Sequence, residues 1–278
     1  MIWRNPRLKW AAIGFHVVLI IYALIVMFPL ITMLFGSVKS TRDLFVNPFG
    51  WPSEFMWSNY VRAWKEANFA IYFKNSLYVT VISTTTIILA SSMAAFVLAR
   101  IKFKLNAWIH GLFIAGLVVP SRLAIIPLFL LVRDLGLMNK HLALILIYTG
   151  GAMPFAIFLL TTFFRQVPNE LAEAATVEGA GTWTIYWRIM LPLVRPALAT
   201  VAIFEALHAW NDFFFPLIFL RSNKLMTVPV GLSVFFGEYA TDWATLFAAL
   251  TISIVPVIVL FIFMSRQFIA GLTQGAVK

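Results

Sequence analysis

The stretch PNELAEAATVEGAGTWTIYWRIMLPLVRP, Pro168–Pro196, interrupts a chain that is otherwise built from long apolar runs. Its residues predict two short helices and a hinge. Asn169, just after Pro168, is placed to cap a first helix. Glu170 and Glu173 fall in the opening turns, where the helix dipole favours negative charge. Ala174 and Ala175 give a smooth surface. Gly179 and Gly181 end the helix, because glycine takes a positive φ at little cost. Thr182 is placed to cap a second helix, WTIYWRIML, which Pro192 stops. A smooth acidic face of this kind suits insertion into a groove on a soluble partner. An ordinary surface helix would use the same residues, and the local chemistry alone does not separate the two.

Outward from this stretch, composition sets the class. Of 278 residues, 62% are hydrophobic and 12% charged, against about 25% charged in an ordinary soluble domain. Mean hydropathy is +0.91, and 27 residues are Phe. The chain is expected to be an all-α membrane protein, since helices satisfy their own backbone hydrogen bonds in hydrocarbon. The net charge of +10 comes from basic residues scattered between apolar runs. Topology and anionic headgroups account for them without nucleic acid. With no cysteine, disulfides and thiol chemistry are excluded.

A span needs about 20 mainly apolar residues. Six runs meet that test, at roughly 11–36, 76–99, 106–132, 140–164, 194–220 and 244–268, in a single transmembrane domain covering 1–278. The first is too long for a signal-peptide core and reads as an uncleaved span. Pro29, Pro120, Pro127, Pro154, Pro216 and Pro256, with the Gly150-Gly151 pair, either kink these helices around a cavity or are simply tolerated. Counting basic residues inside and outside decides little. The dense clusters do more: Arg4, Arg7 and Lys9, and the short loop RIKFK (100–104), favour cytoplasmic N- and C-termini. The loop 165–193 is then cytoplasmic. Segment 37–75 lies outside, with Tyr60, Trp64, Phe69 and Phe73 predicting an interfacial amphipathic helix, a docking surface or an aromatic belt.

One spacing in the opening stretch is specific. Glu173-Ala174-Ala175, then Gly179, then Ile189, Leu191 and Pro192, resemble the EAA-x3-G-x9-I-x-LP signature of permease subunits of binding-protein-dependent ABC importers. WNDFFFPLIFL (210–220), the tail RQFIAGLTQGAVK (266–278) and Asn75-Ser76-Leu77 are similar to the maltose-type carbohydrate branch. The resemblance implies six spans in a bacterial or archaeal cytoplasmic membrane and a coupling helix that docks into a cytoplasmic ATPase. In that family Glu173 would carry the coupling glutamate's role and Gly179 the turn. The tail would add contacts to the ATPases. Implied partners are a second permease subunit in a heterodimer, two ATPase subunits, an extracytoplasmic solute-binding protein and a carbohydrate, within membrane lipid. ATP and magnesium are expected on the ATPases and no cofactor on this chain.

Charged side chains inside a span are costly and are functional candidates. Glu205, His208 and Asp212 fall at i, i+3 and i+7, one helix face, with Trp210 and Asn211 beside them. Carboxylates, an amide and an aromatic face suit a polyol; the same set also suits a hydrogen-bonded seam between helices, or gating. Within the resembled branch the other permease subunit can carry much of the sugar contact. Arg122 can line a cavity, pair with an acid such as Glu205, or face water. His16, His110 and His141 read as local hydrogen-bonding groups. No phosphate-binding loop, zinc-ligand cluster or nucleophile elbow occurs, so no catalytic or metal residue is expected. The expected function is ATP-driven uptake of a di- or oligosaccharide. The alternative is a secondary transporter using Glu205, His208 and Asp212 as a proton relay.

Overall fold

The computed structural model describes residues 6–238 and 242–276, with side chains for 12–120, 122–233, 235 and 242–265. The side chains of the basic N-tail and of the tail 266–278 therefore lie outside the described residues. Among the described residues every regular element is helical. In order they are α1 (Pro6–Ser37), α2 (Thr41–Val46), α3 (Ser58–Val61), α4 (Phe69–Arg100), α5 (Asn106–Gly116), α6 (Ile125–Asp134) and α7 (His141–Gln166). Then come α8 (Asn169–Val177), α9 (Thr182–Thr184), α10 (Leu191–Leu193), α11 (Arg195–Asn211), α12 (Phe214–Phe219), α13 (Val228–Glu238) and α14 (Trp243–Ala276). Among the described residues four helices are individually long and apolar enough to cross a membrane, within α1, α4, α7 and α14. A fifth span is added if the pair Thr182–Leu193 and Arg195–Asn211, bent by 76°, counts as one.

The chain forms two compact units. The first joins Met1–Phe69 to Leu232–Ile254. Here α1 exposes most of its apolar side chains between Ile13 and Leu34, which hydrocarbon satisfies and water does not. A polar knot follows it. The Asn59 amide donates to the carbonyls of Ser37 (2.9 Å) and Lys39 (2.8 Å), and Tyr60 and Ser37 share a hydroxyl bond of 2.7 Å. Lys39, fully buried, donates Nζ to the Asn47 carbonyl at 2.5 Å. Arg62 pairs with Asp242 at 3.3 Å. Buried polar groups persist when bonded in this way. The amphipathic helix expected over this segment is replaced by short α2, an Asn47 turn that takes the Gly50 amide, α3 and a π turn at Arg62–Glu66. Phe69 and Phe73 already belong to α4.

The second unit joins Ala70–Gly231 to Val255–Lys278. α7 runs through it and contributes to two cores. One gathers Phe96, Leu160, Phe164, Tyr186 and Met190; the other gathers Val79, Leu144, Tyr148, Phe215 and Phe219. α5 lies close on α7: a β-carbon at Gly116 would sit 3.0 Å from the Pro154 ring. The expected span 106–132 is not one helix. α5 stops at Gly116, the donor-less Pro120 opens a 3₁₀ turn at Ser121–Ala124, and α6 resumes. The run 194–220 is likewise divided, between α11 and α12. Pro154 and Pro256, by contrast, sit inside continuous helices. Asn75 and Ser76 tie the early part of α4 to the segment before α13. The Asn75 amide donates to the Lys224 and Met226 carbonyls at 2.9 Å each, and Ser76 Oγ accepts the Val228 amide at 2.8 Å.

Candidate functional site

The segment after α7 folds as a helix–turn–helix knob. α8 ends at Val177, and Gly179 takes φ +85°, the left-handed conformation that a side chain would strain. Gly181, also expected to need that freedom, is extended (φ −72°, ψ 160°). Two expected caps are absent. Asn169 lies inside α8, Pro168 holds the cap position, and neither the α8 nor the α9 start has a side-chain cap bond. Pro192 does not stop the second helix either. A π turn at Ile185–Met190 runs directly into α10, where Pro192 needs no donor, and the bend falls near Val194.

The signature residues divide by face. Ala175 is buried with Ile185, Tyr186 and Met190, with Ile189 and Leu191 packed against them. Phe96 of α4 meets Phe164 at 5.8 Å and Tyr186 at 5.2 Å between ring centroids, and Tyr186 shares a 2.8 Å hydroxyl bond with Ser92. Each such aromatic pair contributes about 0.5–1.5 kcal/mol. Glu170, Glu173, Ala174 and Val177 point out, at i, i+3, i+4 and i+7 of one face. Val177 is 90% exposed. Half of the Ala-Ala pair therefore seats the knob while the other half belongs to its outer surface.

A residue that the sequence marks only by its charge joins the knob to the helices. Arg100, closing α4, donates to the Phe164 carbonyl, the Val167 carbonyl (2.5 Å) and Asn169 Oδ1. The last carbonyls of α7 have no partner within that helix, and a planar guanidinium fork satisfies them while opposing the C-terminal dipole.

The polar group on α11 does not act as one face. α11 ends at Asn211, and Asp212 is extended (φ −72°, ψ 123°). Its buried carboxylate accepts the Tyr148 hydroxyl (2.9 Å) and the amides of Phe215 (3.1 Å) and Phe214 (3.3 Å). Asp212 thus caps α12 and ties it to α7. Glu205 and His208 line a cleft of about 730 Å³ with Tyr148, Gly150, Gly151 and Phe204. Trp210 is buried, meets Phe73 edge-on at 5.5 Å and lines a different cleft. Asn211 donates back to the Leu207 carbonyl. Arg122 sits 5.6 Å from the Phe214 ring centre, and no ion pair joins it to Glu205. Tyr148, which completes this group, is unmarked in the sequence except as a hydroxyl inside an apolar run. His16 bonds to the carbonyl of Ala12, one turn away, as expected of a local hydrogen-bonding residue. The other two histidines depart from that expectation: His141 bonds to the Leu225 carbonyl, 84 positions away, and His110 Nδ1 is buried with no hydrogen-bond partner among the described residues.

Apolar helices long enough to span a bilayer define a multi-pass membrane protein, one that carries a cleft lined by an acid and an imidazole and a packed knob with an exposed outer face. Residues 86–273 match the family of binding-protein-dependent transport system inner membrane components. The diacetylchitobiose uptake system permease protein of Streptomyces coelicolor is 36% identical over 272 residues, 97% of this chain and 90% of that protein. The arabinooligosaccharides transport system permease protein of Halalkalibacterium halodurans is 35% identical over 279 residues, 99% of this chain and 98% of that one. A solved bacterial ABC transporter involved in the import of the acidic polysaccharide alginate contains a chain of the same fold. Its TM-score is 0.84 at 24% identity, covering 95% of this chain and 98% of that one. This chain belongs to the binding-protein-dependent transport system inner membrane component family.

Proposed function

We propose that this chain is one membrane subunit of an ATP-driven importer for a di- or oligosaccharide. A soluble binding protein delivers the sugar outside. A second permease subunit completes the pathway, and two ATPases grip the α8 face from the cytoplasm. The chain performs no covalent chemistry and binds no cofactor; ATP and magnesium act on the ATPases. This reading takes six spans with both termini inside, the α5–α6 and α11–α12 pairs each serving as a broken span. Glu205 and His208 line the solute path or its gate.

The observation that carries the reading is the α8 face: Glu170, Glu173, Ala174 and Val177 lie bare on a knob whose opposite side is packed against α4 and α7. A rigid seat and an uncovered surface suit a lever that something else pulls. The Streptomyces permease is named for diacetylchitobiose uptake and the Halalkalibacterium permease for arabinooligosaccharide transport, which supports the substrate class.

The test is uptake of labelled oligosaccharides by cells carrying Glu173→Lys or Gly179→Asp. Both variants should reach the membrane and lose transport. Normal uptake by both would overturn the assignment.

A further inference from the structure

We infer that the connection between α4 and α5 forms a binding site for an anionic phospholipid, seated against the coupling knob. A cleft of about 640 Å³ lies between this connection, the end of α7 and the start of α8. Arg100, Lys102, Lys104 and Arg165 line it, together with Glu173. Arg100 is committed to the carbonyls described above. Lys102, Lys104 and Arg165 have no ion-pair partner among the described residues. With four cations against the one carboxylate of Glu173 the cleft is net positive, which suits a phosphodiester, and basic pockets between helices on the cytoplasmic side are where anionic headgroups settle.

A second observation selects lipid over a free anion. Ala107, in the wall of the basic cleft, also begins an apolar groove of about 420 Å³ along α5, formed with Trp108, Gly111, Leu112 and Ala115. A β-carbon at Gly111 would meet nothing within 4 Å, so the groove is open there. Trp108 is 80% exposed at its head, and tryptophan favours the headgroup level. A charged cleft that shares the Ala107 wall with an apolar groove suits a phosphate head followed by an acyl chain. The glycerol hydroxyls of phosphatidylglycerol can donate to Glu173 in the same lining. Because α8 and the Arg100 joint form part of the cleft, the bound lipid becomes part of the knob's footing. The inference uses the inside placement of this loop proposed above, but binding is read without transport, so the two can fail separately.

The experiment is native mass spectrometry of the full-length chain in detergent, with phosphatidylglycerol or phosphatidylcholine of identical acyl chains. Phosphatidylglycerol should be retained about tenfold more strongly or better. Lys102→Gln, Lys104→Gln and Arg165→Gln together should remove the preference. Gly111→Leu, which fills the groove, should lower retention of phosphatidylglycerol. Excess inorganic phosphate should not displace the lipid. Equal retention of the two lipids by the unaltered chain overturns the inference without any variant. So does a preference that survives the triple substitution. Complete displacement by phosphate, with Gly111→Leu silent, would mean that the cleft takes a free anion and the lipid assignment is wrong.

Discussion

The knob after α7 and the break after α11 both interrupt an apolar helix with polar residues, yet they use their acids in opposite ways. At the break, Asp212 is turned inward, and one carboxylate satisfies a phenol and two amides. At the knob, the main-chain groups are satisfied by Arg100 from another helix, and Glu170 and Glu173 are left exposed. An acid in or beside a membrane is therefore not a functional group by virtue of its charge alone. What matters is whether the fold has already occupied its oxygens. By that criterion Glu173 and Glu205 are available for work, and Asp212 is a structural fixture.

The largest expected effect tests the knob. Gly179→Val forces a β-branched residue into a positive φ, costing about 2 kcal/mol or more locally, and should reduce sugar uptake to background with the protein still in the membrane. Asp212→Ala should come next, and it should act on stability. It leaves three donors without their acceptor, a loss of about 3 kcal/mol, read as a lower thermal midpoint of the purified chain. Tyr148→Phe should lower the same midpoint less, consistent with a loss of about 1 kcal/mol. Arg100→Met should accelerate hydrogen exchange over 167–177 while the middle of α7 stays protected, consistent with about 1–3 kcal/mol of local loosening. The smallest effect on stability should come from Glu205→Gln, within about 0.5 kcal/mol, while the KM for sugar uptake changes. A midpoint drop matching that of Asp212→Ala would erase the distinction between the two acids.

Much of the knob is legible in the sequence, because its determinants are local. Gly179 needs a positive φ, and positions 170, 173, 174 and 177 share a face by helical geometry alone. The apolar runs equally announce α1, α4, α7 and α14, apart from the early start of α4 at Phe69 and the late end of α14 at Ala276. What escapes is set by distant partners. Asn169 has the right chemistry for a cap, but Arg100, 69 positions away, takes its side-chain oxygen. The i, i+3, i+7 pattern assumes that α11 continues through Asp212. Tyr148, on another helix, offers that carboxylate a better-bonded place outside the helix, and the shared face dissolves. Pro192 reads as a terminator, yet a proline in the first turn after a π turn removes a donor that nothing required.

Two of the three acceptors held by Arg100 are main-chain oxygens, which every residue type supplies. The lettering at 164 and 167 can therefore drift, as far as this joint is concerned, without unfastening it, whereas position 100 has little latitude because no other side chain offers a flat, permanently charged fork of that reach. Descendant chains can rewrite the strap and keep the buckle.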